Sequence, residues 1–570
     1  MKKASAKEGL CVYLLPCVKL PRFPIPIQPM NKKTLTASIW AIAPIFFIAT
    51  TIIGAVRWFS PVPFWDMWDG YLLFYLSVTH GDWGQFFVQA NEHRIVFSRL
   101  LFWLDIRYFH GLGLLLIPVN IALMAGSWLT LTAAARRLIG GGMGLATAAV
   151  IAAPCFSWMQ SENIAWAYQS QFFAAYLFPL IAFTALARSF DSSRRGALFC
   201  VALFFGFASL GTMANGILAL PSMVVMAVIS RRARPLEIGI LAGVTIAGTL
   251  AWLYHHTGTP VALPDVKVVV AFVLIFLGSP FAIALGNHWV GYIAGISLIM
   301  ASAFFLYQWW RGADKNPTAL ALIVFLGYVC AASVGAMSGR AVGGVEAAVA
   351  SRYTTPVLLA WATLLILSVS AFRNRSEARG VLLAVAAVVP LFLLGPQLKL
   401  FQPENVAQAQ RRMYAALALD LGVHDDTAIM PVYPTDSDEM RRRIYAGAPK
   451  SVAANLSIFA TPEMEHARRF IGQAPAVVGL RGCSGSVDLI EGVKTDSRYA
   501  RIAGWAFDAS TARVPQIVYF SRDGVIIGAA LTGIERPDVS KAISPGAEKS
   551  GFEGYAKSGI SKVEIFCEQP

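Results

Sequence analysis

The 570-residue chain has 56% hydrophobic and only 14% charged side chains, with a mean hydropathy of +0.57. This excludes an ordinary soluble enzyme and marks a polytopic membrane protein. The formal net charge of +14 would in a soluble protein raise nucleic-acid binding. Here the Lys and Arg residues sit in short clusters between apolar runs, so membrane lipid and not nucleic acid is the expected partner.

Residues 1–34 are basic and contain several prolines, and read as a cytoplasmic N-terminal segment. No apolar run with a small-residue cleavage site follows closely, so 35–57 reads as a retained signal anchor. Further apolar runs lie near 111–134, 143–158, 169–187, 197–214, 216–230, 236–255, 289–309, 318–338, 354–372 and 379–398. The clusters Lys32/Lys33, Arg136/Arg137, Arg188 with Arg194/Arg195, Arg231/Arg232/Arg234, Arg311/Lys315 and Arg373/Arg375/Arg379 should all face the cytoplasm. Val266 to Gly286 is apolar but is interrupted by Gly278-Ser279-Pro280, and counting it as a span would reverse the charge rule for the last third. It is expected to re-enter from the outer side, where irregular backbone is tolerated in a protein-lined cavity. The fold class is therefore mainly α: a polytopic helical bundle over 35–400 with about eleven spans plus the re-entrant segment, N-terminus inside and C-terminus outside.

This topology puts the first loop, 58–110, outside the membrane, and polar residues gather in the same outer loops. In FWDMWD, Asp66 and Asp69 stand three residues apart between Trp65 and Trp68. A partly desolvated carboxylate there can act as a general base, its neighbour can hold the acceptor or a divalent cation, and the indoles offer flat faces for sugar or prenyl groups. Asn91-Glu92-His93-Arg94 follows at the start of an expected interfacial helix, 94–110. Glu92 could serve as a second acid or metal ligand, and His93 and Arg94 could bind phosphate. The alternative is ordinary capping of a helix start. Glu162 and Gln169 lie in a second outer loop with Trp158 and Trp166, a mixture suited to sugar hydroxyls or to helix capping. Arg340, Arg352 and Tyr353 lie in the last outer loop. Arg352 at a helix start is placed to grip a phosphate, or to snorkel to headgroups.

Beyond Leu400 the composition turns polar. Residues 401–475 show helical patterning, and 476–570 carry short β-like runs separated by Asp, Gly and Pro turns, read as a small β-sandwich-like extracytoplasmic module. Cys483 and Cys567 bracket that module and could be bonded if it lies outside. Cys155, Cys200 and Cys330 lie in apolar segments as small core residues.

FWDMWD in the first outer loop, the interfacial helix after it, the many spans and the late SRY-then-Pro segment together resemble the GT-C superfamily of integral-membrane glycosyltransferases. The resemblance covers roughly 35–400. It implies a multi-pass protein of the bacterial inner membrane with a periplasmic C-terminal domain. The implied activity moves a sugar from a polyprenyl-phosphate-linked donor to a glycan, lipid or protein acceptor. Asp66 or Asp69 would be the base and Arg352 would engage the lipid phosphate. The acidic pair is spaced by two residues rather than one, so the resemblance selects neither Asp and carries over no metal requirement. Two other readings remain open: a polysaccharide polymerase or ligase that relies more on arginines, and a lipid-linked sugar flippase or transporter. The apolar runs carry almost none of the charges expected of a transport path.

Overall fold

The computed structural model describes residues 32–257, 265–313, 315–340, 344–374, 376–434, 437–560 and 562–568. Most of the N-terminal segment, and the side chain of Arg340, lie outside the described residues.

Among the described residues, seven helices are long and apolar enough to cross a membrane. The other four expected spans appear as shorter apolar helices, Ile42–Arg57, Arg195–Gly211, Ala214–Ser230 and Val388–Phe401. Val266–Leu277 and Ser279–Leu285 meet at a bend of 73°. The sequence dictates that bend locally: Pro280 opens the second helix, and a Cβ on Gly278 would stand 1.8 Å from the Gly291 carbonyl oxygen. The second span begins at Leu116 rather than near 111. Residues 110–115 are instead a turn held by buried Asp105, which accepts hydrogen bonds from Gly113 N–H (2.9 Å), Leu115 N–H (2.8 Å) and the Tyr71 hydroxyl (2.5 Å). Burial pushes the Asp105 carboxyl up while these donors pull it down, and burial prevails. The interfacial helix spans Val96–Phe109 and ends at His110 in the left-handed region.

Residues 401–475 form a helical layer: Glu404–Asp420, Asp426–Ile429, Asp438–Ala453 and Pro462–Phe470. The β module is one antiparallel sheet and not the two packed sheets of a sandwich. Its strands are β1 Arg481–Gly482, β2 Ser484–Gly492, β3 Tyr499–Phe507, β4 Ile517–Arg522, β5 Val525–Ile534, β6 Gly551–Lys557 and β7 Glu564–Cys567, in the order β1-β7-β4-β5-β6-β3-β2. β1 and β2 sit at opposite edges yet are separated only by Cys483, so the sheet curls until its edges approach. The Cys483–Cys567 disulfide pins that seam. Tight β4–β5 pairing follows from Asp523-Gly524, both at positive φ, as a two-residue hairpin requires.

Candidate active site

FWDMWD folds as a strained turn running into a wide helical turn. Trp65 has φ +51°, an uncommon state for a bulky residue that persists only when its surroundings enforce it. The helical layer supplies the enforcement. Trp65 N–H donates to the Val432 carbonyl at 2.9 Å, and its ring stacks on Tyr433 at 5.6 Å. Trp68–Leu73 then forms a π-helical turn, closed by the Phe74 N–H bonding five residues back to the Asp69 carbonyl. Such turns are frequent at functional sites. Asp66 is half-buried and Asp69 exposed. Among the described residues, no hydrogen bond or ion pair is made to the Asp69 carboxylate.

Two tyrosines flank this turn. A Cβ on Gly70 would stand 2.1 Å from the Tyr168 hydroxyl oxygen, so glycine lets that phenol approach the backbone beside Asp69. Tyr168 stacks between Phe102 (4.8 Å) and Trp166 (5.7 Å). On the other side, burial first and then the charges of Asp66 and Asp69 hold the Tyr433 phenol above its ordinary pKa. In the sequence, Tyr168 belongs to the same Trp158–Trp166 mixture suited to sugar hydroxyls or to helix capping, and Tyr433 carries no site role. The latter's only signal was the Pro-Val-Tyr-Pro break, which says nothing of where it docks.

The loop that holds Glu162 and the SRY segment form one polar lattice. Arg352 pairs with Glu162 at 3.0 Å, and Asn163 Nδ2 donates to the Arg352 carbonyl and to Thr355 Oγ1, each at 2.8 Å. Ser351 Oγ donates to the Met159 carbonyl at 2.7 Å. Tyr353 is buried at 5.6 Å from the Phe276 ring. A cleft of about 190 Å³ joins this lattice to the first loop, and its lining includes Phe64, Met67, Ser161, Glu162, Trp166 and Arg412. Arg412 comes from the helical layer, where the sequence reading assigned no site. Its guanidinium lies 3.9 Å from the Phe64 ring, and burial pushes its pKa down to about 10. Trp166 Nε1, Gln169 Oε1, Gln171 Oε1 and Arg352 Nε are buried around this region without a protein hydrogen-bond partner.

Other expected site residues sit differently. Asn91-Glu92-His93-Arg94 is not the first turn of a helix. Ala90 and His93 exchange backbone hydrogen bonds, both at 2.8 Å, around Asn91 at φ +50°. Glu92 lies 3.6 Å from His93, whose Nδ1 accepts the Ala214 N–H at 3.1 Å. Arg94 is spent on backbone. It donates to the carbonyls of Trp252 (2.8 Å), Phe87 (2.6 Å) and Tyr254, latching the loop to the end of helix Pro235–Leu253 and leaving little of its fork for a phosphate. Trp68, expected as a sugar-stacking face, is 3% exposed and packs near Phe459. Trp65, by contrast, is exposed. Among the described residues no three His, Cys, Asp or Glu side chains gather to hold a metal ion. A cation at the FWDMWD turn would therefore depend on Asp66 and Asp69 alone.

No family model matches the chain, and no curated protein does. Among solved structures the chain is similar to ArnT from Cupriavidus metallidurans in the apo state. Identity is 15%, coverage is 73% of this chain and 76% of that one, and the TM-score is 0.38. A likeness this loose assigns no residue and no activity.

Proposed function

We propose that the protein is a membrane glycosyltransferase that takes a sugar from a polyprenyl-phosphate donor and transfers it to an acceptor hydroxyl on the outer side of the membrane. The observation that carries this reading is the FWDMWD turn: two carboxylates on a strained, externally braced turn, flanked by Tyr168 and Tyr433 and open on the Asp69 side. A structural carboxylate has its hydrogen-bonding capacity filled, whereas a base must keep some of it for a substrate proton, as Asp69 does among the described residues.

In the reaction proposed, Asp66 or Asp69 removes the acceptor O–H proton while that oxygen forms a bond to the anomeric carbon. The bond from that carbon to the donor phosphate oxygen breaks, and the phosphate leaves with the electron pair, inverting the centre. Arg352, oriented by Glu162, is the cation offered to the leaving phosphate, with one Nε–H still unpartnered. Exposed Trp65 gives the sugar a face. The test is transfer by the purified chain from a synthetic short-chain polyprenyl-phosphate sugar. Asp66→Asn or Asp69→Asn should abolish it, and survival of both changes sinks the reading.

A further inference from the structure

The far end of the helical bundle carries a second site that the transfer reaction does not use. A groove of about 660 Å³ opens between the last turns of helices Leu116–Ile139 and Ser170–Phe190 and the first turns of Arg195–Ala208. From Gln169, beside the candidate active site, helix Ser170–Phe190 runs roughly 30 Å to reach it, at 1.5 Å per residue. Leu129, Ala185 and Val201 supply apolar wall, with Leu129 57% and Val201 40% exposed. Arg136, Arg137 and Arg188 line the same groove and are all exposed.

We propose that this groove holds one anionic glycerophospholipid, its phosphate between Arg136 and Arg188 and an acyl chain along the apolar wall. Charge supports this occupant. The neighbouring acid, Asp191, is shared by Arg137 at 3.7 Å and Arg232 at 2.7 Å, while Arg136 and Arg188 form no ion pair among the described residues. The groove thus keeps a net positive end where these helices terminate in basic residues, which is headgroup depth for a spanning bundle. The walls separate a lipid from a free anion: Leu129 and Val201 lie on apolar helices of the bundle, where an acyl chain tethered to the headgroup contacts them and a soluble phosphate does not. Guanidinium groups suit a phosphate diester through paired hydrogen bonds.

The test uses the full chain, purified and delipidated in detergent, then offered dioleoyl phosphatidylglycerol or dioleoyl phosphatidylcholine and read by native mass spectrometry. Phosphatidylglycerol should be retained at one per chain and phosphatidylcholine far less. Loss of two headgroup cations in Arg136→Gln/Arg188→Gln should weaken retention by about tenfold or more. Val201→Trp keeps all three arginines but fills the groove from its exposed wall, and should weaken retention as well, which preserves a test if the double variant does not fold. Arg311→Gln, a basic change outside the groove, should leave retention unchanged. Equal retention of the two lipids, unchanged retention in both groove variants, or displacement of the lipid by equimolar inorganic phosphate would overturn the proposal. No arm reads sugar transfer, so either proposal can fail while the other stands.

Discussion

Two acidic pairs of this chain, Asp66/Asp69 and Asp425/Asp426, are handled in different ways. Asp425 is buried between the helical layer and the β module, and its bonding capacity is full. Arg501 Nε donates to it at 2.5 Å with a second bond from the same guanidinium, Thr427 Oγ1 donates at 2.8 Å and the Tyr555 hydroxyl at 3.0 Å. Burial pushes its carboxyl up, but the Arg501 and Thr427 hydrogen bonds hold it below its ordinary pKa. Its neighbour Asp426 accepts from Tyr445 at 2.9 Å and faces Arg441 at 3.7 Å. At the FWDMWD turn, Asp66 is only half-buried and Asp69 is exposed, while the Val432 carbonyl and the Tyr433 ring brace the strained Trp65. Residue type and spacing do not tell these pairs apart. What does is whether the surroundings have used up the acceptors: Asp425 fastens the helical layer to the β module, and Asp69 keeps its acceptors for something that arrives.

The largest expected effect breaks the open pair. Neutralising whichever of Asp66 and Asp69 is the base should lower the transfer rate by on the order of 10²–10⁴-fold, the usual contribution of a positioned base, in single-turnover assays. The same change at Asp425 would act on folding instead. Next, Arg501→Ala leaves Asp425 buried with its main partner removed and should cost about 3–5 kcal/mol, read by denaturant unfolding of the helical layer and β module within the intact chain. If Arg501→Ala were neutral, the fastening role would be lost and the contrast with it.

A third acid sharpens the comparison through pH. Burial raises Asp420 to about 7 against the pull of Arg468, which donates to it at 2.5 Å. Its folded pKa lies above the unfolded value, so between about pH 4 and pH 7 the native state binds the extra proton. Stability contributed by this group is complete below that window and falls as pH rises through it, by roughly 2–4 kcal/mol. Asp420→Asn should flatten the slope of unfolding free energy against pH over that range. An unchanged slope over that range in the variant would show that Arg468, not burial, controls the site, because a carboxyl held below its ordinary value titrates below about pH 4.

The fold was more legible in the sequence than the site. Apolar runs, basic clusters and the Gly278-Ser279-Pro280 interruption located the helices and the bend, because length and charge are local properties. The Asp523-Gly524 turn was readable for the same reason, whereas the sequence left the Cys483–Cys567 bond open, since it joins residues 84 apart. The β module's closure was not, since curling one sheet onto itself depends on which edges meet and not on any single strand. At the site, Glu92 and Arg94 looked like part of the acidic cluster only by proximity in the chain; the hairpin turn and the three carbonyls around Arg94 are tertiary facts. Arg412 and Tyr433 were invisible for the converse reason: they come from a segment more than 300 residues downstream of FWDMWD, and only docking of the helical layer brings them to Phe64 and Trp65.

The smallest expected effect tests the contrast most directly. If Asp69 is held open rather than used as a fastener, Asp69→Asn removes a charge that no described residue bonds. It should then change unfolding free energy by less than about 0.5 kcal/mol, as other surface substitutions without partners do. The π-helical turn would survive as well, because its closing bond uses the Asp69 main-chain carbonyl, which the substitution leaves in place. A silent stability change together with a large activity change is the pattern of a group kept for substrate. A stability loss of 2 kcal/mol or so would instead place Asp69 with Asp425, as a residue whose acceptors the fold already uses.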